Sequence, residues 1–479
     1  MSSMKNMGSS KKEDTTRKQY DKMTKTPVGS LIARLAVPTI ISMMVSNIYS
    51  TADTAFVGQV GATHAERTAA SGAVGIVFAI MAVYQAIGFM CGHGAGANIS
   101  QKLGEHDTAA AKRYASTSLF LSLGLAIIVS AFGLIFMDPL LRFFGATETI
   151  LPFARQYALW IYISGPLLSA SCVLNNILRY EGLASLAMVG LTAGGILNIG
   201  GDAIFIFGCG MGVYGAGLST AISQAISFAL LLGMFYIGKT TSSFGIQHFS
   251  RDYHEIGRIF AVGMPSFARQ SLNAVSQTVL NNTAGIYGGD PAIVGMAIVS
   301  KVTFFIFAIA VGLGQAFQPV SAFNYGARKY SRVKKAFHLS YIVGTALLLI
   351  VDLLVLIWAK PILGLFSADE TVLEIGVTAL RFQCYAAILQ PFVFCAQMLF
   401  QSTGKALRST FLSMSRSGLF LIPLVLLLPL SLGLLGVEIA QPIADLLSFL
   451  VSIPFVIAFL RSLPKVDAEE KPAEEQQTC

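Results

Sequence analysis

Four aspartates sit where carboxylates are costly. Asp53, Asp202, Asp352 and Asp445 each fall inside a long apolar run. A charge at the centre of a bilayer costs at least about 2.5–3.5 kcal/mol on insertion scales, so such residues usually face a polar interior and mark ion or proton pathways. Asp202 lies in ILNIGGDAIFIFG, four residues after Asn198, so the two side chains share a helix face. Glycines at 194, 195, 200 and 201 permit close helix approach beside them. An amide, a carboxylate and small neighbours make an oxygen-rich pocket that suits a hard cation such as Na⁺ or holds a proton. Asp53 lies in VSNIYSTADTAFVG, with Tyr49 four residues back on the same face. Pro38, fifteen residues earlier, frees a carbonyl and allows the helix to bend. Asp445 follows QPIA and reads either as a structural residue or as a candidate for the substrate cavity, and Tyr49 is a second cavity candidate. Asp352, in LLIVDLLVL, has no polar neighbour and reads as a helix–helix contact or a lipid-edge residue. His93, alone in CGHGAG, reads as packing or a loop feature.

Helices long enough to span a membrane must position these groups. Of 479 residues, 54% are hydrophobic and 12% charged, which excludes an ordinary soluble domain. Twelve apolar segments are expected to span, near 31–57, 69–97, 114–136, 151–178, 185–208, 213–236, 256–285, 292–319, 337–358, 374–400, 408–430 and 436–460. With the N-terminus inside, the cytoplasmic segments hold 25 Lys and Arg and the outer loops hold 4. This bias places both termini in the cytoplasm and explains the net charge of +8 without a nucleic acid. Arg269, Lys301, Arg381 and Arg416 fall within spans, near their ends, and are expected to snorkel. Residues 1–27 read as a polar cytoplasmic tail without a cleaved leader, and 463–479 as a disordered tail. No CxxC pair, GxxxxGK[ST], HExxH or GxSxG is present, so the chain is expected to be no enzyme, to need no cofactor and to draw on an ion gradient.

The chain repeats itself. PLLRFFGATETIL from Pro139 and PILGLFSADETVL from Pro361 match at seven of thirteen positions, 222 residues apart. Pro38, Thr51, Gly58 and Gly61 align with Pro265, Thr278, Gly285 and Gly288. Six spans per half is an even number, so the halves are parallel and related by a pseudo-twofold axis along the membrane normal. The expected fold is an all-α polytopic membrane protein of twelve helices: a six-helix lobe over 28–238, a linker over 239–255 and a second lobe over 256–462. Asp53 aligns with Leu280 and Asp202 with Leu424, so the acid pair belongs to the first lobe alone.

Residues 28–462 resemble the multidrug and toxic compound extrusion (MATE) family. The stretches that carry this are PTIISMMVSNIYSTADTAFVG, NNILRYEGLASLAMVGLTAGGILNIGGDAIFIFG, GVYGAGLSTAIS, GQAFQPVSAFNYGA and GLLGVEIAQPIAD. The chain is most similar to the branch of DNA-damage-inducible transporters. That resemblance implies a monomeric plasma-membrane antiporter that exports organic cations or amphiphilic drugs in exchange for Na⁺ or H⁺. It implies a coupling site at Asp53, Tyr157, Asn175, Asn198, Asp202 and Thr220, with Na⁺ at Asp53, Asn198, Asp202 and Thr220, and a bending role for Pro38. Another branch uses acids on the seventh and tenth helices. Here the seventh span has none past Glu255 and the tenth has only Glu374 at its start, which favours the first-lobe site. The alternatives are a flippase for lipids or lipid-linked precursors, which would carry a more basic cavity, and a channel or intramembrane enzyme. The polar candidates here are acidic and amide-rich, which points to cationic cargo.

Overall fold

A computed structural model describes residues 16–61, 63–237, 240–366 and 369–467. Every membrane-spanning segment is helical, because only a helix satisfies its own backbone polar groups in hydrocarbon. The first lobe contains α1 (Val28–Val57), α2 (His64–Gly104), α3 (Thr108–Ile135), α4 (Leu151–Tyr180), α5 (Ala184–Asp202, continued by a π-helical turn over Ala203–Gly208) and α6 (Gly212–Met234). Tyr253–Gly326 is one run of helical hydrogen bonds broken at Gly289, where φ is 65° and ψ is −162°. The chain reverses there: Gln277 Nε2 donates to Ser300 Oγ at 2.8 Å, pairing residues on opposite sides of the break. The two arms, residues 253–288 and 290–326, are α7 and α8. Then follow α9 (Tyr330–Ile357), α10 (Glu370–Ala387 with Gln390–Ser402, bent by 53°), α11 (Ala406–Met414 and onward through a π-helical turn over Ser415–Leu421) and α12 (Leu434–Ser462).

The duplication is visible in the backbone. α3 and α9 begin and end 222 residues apart, and so do the ends of α2 and α8. The only two non-glycine residues with positive φ among the described residues are His106 and Arg328, again 222 apart. Gly182 and Gly404 repeat the pattern, with φ of 77° and 73°. Short helices at Met137–Phe143 and Ala359–Gly364 occupy the matched segments of the repeated motif.

The lobes meet at the end that carries the first and last described residues. A Cβ on Gly94 of α2 would lie 2.0 Å from the Ile259 carbonyl of α7, and one on Gly263 would lie 2.0 Å from the Met90 carbonyl. Only glycine allows this backbone approach. Ser100 Oγ donates to the Pro319 carbonyl at 3.2 Å, Gln101 Nε2 to the Ser402 carbonyl at 2.6 Å, and Arg113 pairs with Glu255 at 2.8 Å. Gly263→Val is therefore expected to part the lobes. Labelling of Cys91, which is fully buried beside this contact, should rise severalfold in a variant keeping Cys91 as its sole cysteine; unchanged labelling would show that the contact tolerates the added methyls.

Part of the expected N-terminal tail is structured. Residues 16–25 form a helix across this same end, with Met23 fully buried. Gln19 Nε2 donates to the Glu181 carbonyl at 2.8 Å in the first lobe. Asn324 Nδ2 donates to the Met23 carbonyl at 3.1 Å and Arg332 Nη2 to the Thr26 carbonyl at 2.6 Å in the second. Sequence polarity hid this, because the helix is held by polar bonds to both lobes as well as by apolar burial. Burial raises the Glu181 carboxyl above its usual range, while the Thr241 and Ser242 amides that it accepts oppose the rise. The disordered reading of the C-terminal tail falls mostly on residues 468–479, outside the described residues.

Candidate functional site

Two polar regions emerge. The first lies within the first lobe, where α1, α4, α5 and α6 converge. Tyr157 Oη donates to Asp53 Oδ2 at 2.9 Å and lies 3.4 Å from Thr220 Oγ1. Asn198 Nδ2 donates to Thr220 Oγ1 at 3.1 Å and to Asp202 Oδ1 at 3.4 Å. One chain of hydrogen bonds thus links the two carboxylates, and all five side chains are buried. Small residues make this possible: a Cβ on Gly201 would lie 2.5 Å from Ser219 Oγ, and Ser219 Oγ donates to the Asn198 carbonyl at 3.1 Å, fastening α5 to α6. The π-helical turn begins immediately after Asp202, a feature frequent at functional sites.

Asp53 Oδ1 and Asp202 Oδ2 have no donor among the described residues. Two bare carboxylates in a water-poor site repel each other, so the pair requires a proton or a cation between or upon them. The oxygens of Asp53, Asp202 and Thr220 are hard donors that fit Na⁺, and the same carboxylates fit a proton. The equivalent place in the second lobe is apolar: Leu280 is buried, and Leu424 packs against the same core.

Asn175 departs from the expected set. Its Nδ2 donates to the Ala187 carbonyl at 2.8 Å, tying α4 to α5, and the side chain faces the central cavity, not the carboxylates. Axial rise explains this: Asn175 lies eighteen residues along α4 from Tyr157, five whole turns, so the two share a helix face but are about 27 Å apart in depth. α1 runs unbroken through Pro38, which leaves the Arg34 carbonyl without its helical donor.

The second region is a cavity of about 350 Å³ between the lobes. Tyr49 lines it. Asp445 does not. It is fully buried in the second lobe, where Arg416 Nε donates to its Oδ1 at 2.6 Å and Gln383 Nε2 to its Oδ2 at 3.4 Å. Its carboxylate is consumed by that ion pair. Asp352 is buried too, and so is not at the lipid edge; neither of its oxygens has a partner among the described residues.

The expectation of an acidic cavity is overturned. The charged side chains lining it are Arg179, Arg269 and Arg416, with His93 beside them and no carboxylate among the described residues. Arg269 and Arg416 therefore do not snorkel to a membrane surface, whereas Lys301 and Arg381 are exposed. The amide-rich expectation holds, through Gln85, Gln270, Asn273 and Gln277 among others. The arginines were hidden because basic residues read as lying near span ends normally reach for the interface, although Arg269 lies near the middle of α7. One signal could have revealed Arg269: with Asn273, Ser276 and Gln277 it forms a polar stripe at helical spacing along α7.

A duplicated bundle with a cavity at the lobe interface and a buried polar network in one lobe defines a two-lobed membrane transporter. The MatE family profile matches residues 38–204 and again 265–427, one match per lobe. The chain belongs to the MatE family, whose members are transporters and not enzymes. It is 27% identical over 447 residues to the multidrug export protein MepA of Staphylococcus aureus (strain MSSA476), covering 93% of this chain and 97% of that one. It is similar to a solved structure described as the outward-facing conformation of a multidrug resistance MATE family transporter, with a TM-score of 0.86, 26% identity and coverage of 93% and 98%. Another, from Pyrococcus furiosus, is described as a superfamily transporter whose reverse polarity of binding pocket suggests a different function; it gives a TM-score of 0.87, 26% identity and coverage of 94% and 99%.

Proposed function

We propose that the protein is a secondary active multidrug exporter that exchanges amphiphilic drugs for Na⁺ or H⁺. The observation that carries this is the buried carboxylate pair in one lobe of a duplicated transporter, joined through Tyr157, Thr220 and Asn198. The similarity to multidrug export proteins supports the cargo class. The bias of basic residues supports a plasma-membrane orientation with both termini in the cytoplasm. The lobe contact then seals the cytoplasmic side, and the cavity belongs to an outward-facing state. Alternating access follows by rocking one lobe against the other. Coupling requires only that ion and drug stabilise different states. The protein acts as a monomer, since one chain holds both sites.

The test is transport by the purified chain in liposomes. Carboxyfluorescein and ethidium serve as dyes of opposite charge, under an imposed Na⁺ or pH gradient. Movement of either dye under one gradient supports the reading and names the ion. A folded protein that moves neither dye under either gradient overturns it. One observation favours a second reading, a flippase for lipids or lipid-linked precursors: the cavity is basic. That reading predicts translocation of a phosphorylated lipid with no export of either dye.

A further inference from the structure

We infer that the central cavity is a receptor for an anionic amphiphile, held through its acidic group by Arg179 and Arg269. This rests on the reading of the chain as an exporter whose cargo passes through that cavity, and it specifies the cargo's charge.

Arg179 is 6% exposed. Its Nη1 donates to Gln315 Oε1, a neutral acceptor, and its Nε has no partner. Arg269 is half-buried, lines the same cavity from the opposite lobe and forms no ion pair among the described residues. His93, 1% exposed, spends Nδ1 on the Phe89 carbonyl at 3.1 Å and leaves Nε2 without a partner. Arg416 is different: Asp445 neutralises it, although its Nη2 is also without a partner. Two full positive charges therefore face the cavity uncompensated. Buried charges are retained when something pairs with them, and the wall offers no carboxylate. An incoming carboxylate, sulfonate or phosphate supplies the missing partner, and guanidinium groups bind all three through paired N–H donors. The rest of the wall fits the body of such a molecule. Phe89, Phe304, Phe307 and Phe394 give it an aromatic lining, and a volume of about 350 Å³ is of the size that encloses a small drug. An organic cation would meet like charge with no counter-group.

The ion site is separate from this receptor. Asp53 and Asp202 do not line the cavity, so coupling by the carboxylate pair is compatible with anionic cargo.

The experiment measures dye binding to the full chain in detergent, without any gradient, by fluorescence anisotropy. Carboxyfluorescein and ethidium are compared in wild type, Arg179→Gln, Arg269→Gln and Arg269→Lys, each checked for folding by gel filtration. Carboxyfluorescein is expected to bind more tightly than ethidium. Each glutamine variant should weaken carboxyfluorescein at least tenfold and leave ethidium unweakened, and Arg269→Lys should recover part of the loss. Tighter ethidium binding, or anion affinity unchanged in both folded glutamine variants, overturns the inference. So does wild type that binds neither carboxyfluorescein nor dioleoyl phosphatidic acid. Displacement of the dye by phosphatidic acid, with no dye transport in liposomes, marks a lipid headgroup as the source of the anion; dye transport marks a free organic anion. Because binding is read without a gradient, a failure of ion coupling leaves this result intact.

Discussion

Asp202→Asn is expected to yield a folded protein that no longer turns an ion gradient into cargo movement. Asparagine keeps the shape of the side chain and a carbonyl oxygen for the bond from Asn198 Nδ2. It removes the charge that draws a cation or accepts a proton. An ion that binds both conformational states equally shifts neither, so the gradient then exerts no pull. Gradient-driven transport should fall to the level of protein-free liposomes, while exchange of dye across the membrane without a gradient continues. Asp53→Asn should act in the same direction, and the double variant should be no worse than either single one, because groups that act as a unit lose function together. The comparison of gradient-driven uptake with zero-gradient exchange checks this. Wild-type coupling in a folded Asp202→Asn protein sinks the assignment.

The second large effect concerns stability. Asp445→Asn should destabilise the protein by about 3–5 kcal/mol, because it strands the buried Arg416 guanidinium without its carboxylate. The Phe307 ring, 4.8 Å from that guanidinium, recovers only a part. Arg416→Met together with Asp445→Leu should restore most of the loss, since apolar residues of similar volume commonly replace buried ion pairs at little cost. Thermal unfolding in detergent of the single and double variants provides the measurement. A single variant as stable as wild type would show that water reaches Arg416 and that the pair is not structural.

The duplication, the span pattern and the acid pair were legible because each is a local signal. Alignment offsets need only identity along the chain, and a carboxylate in an apolar run stands out wherever its partners lie. The network members Tyr157 and Thr220 came from resemblance, since nothing near either residue in sequence marks it. The sense of the cavity was not legible. Arg179 ends a span four residues after Asn175, so it looks like a residue at a membrane surface, whereas Arg269 lies near the middle of an expected span, where the snorkelling expectation overlooks its polar stripe. Only the bundle shows that both arginines point inward, toward a space shared by both lobes. Asp445 stayed open between a structural and a cavity role for the opposite reason. Its partner Arg416 is 29 residues away, and sequence does not show that the charge is already spent. The break at Gly289 lies within the GGDP that separates two expected spans, so the turn could be read although its positive φ could not.

The most direct test of the exchange itself runs the coupling backwards. Liposomes holding the wild-type protein are loaded with the transported dye and placed in dye-free medium, with no ion gradient and with Na⁺ and pH indicators trapped inside. Dye leaving down its own gradient should drive one of the two ions inward, and that inward movement should vanish in Asp202→Asn. Dye leaving through the wild-type protein with neither ion entering would contradict ion-coupled export.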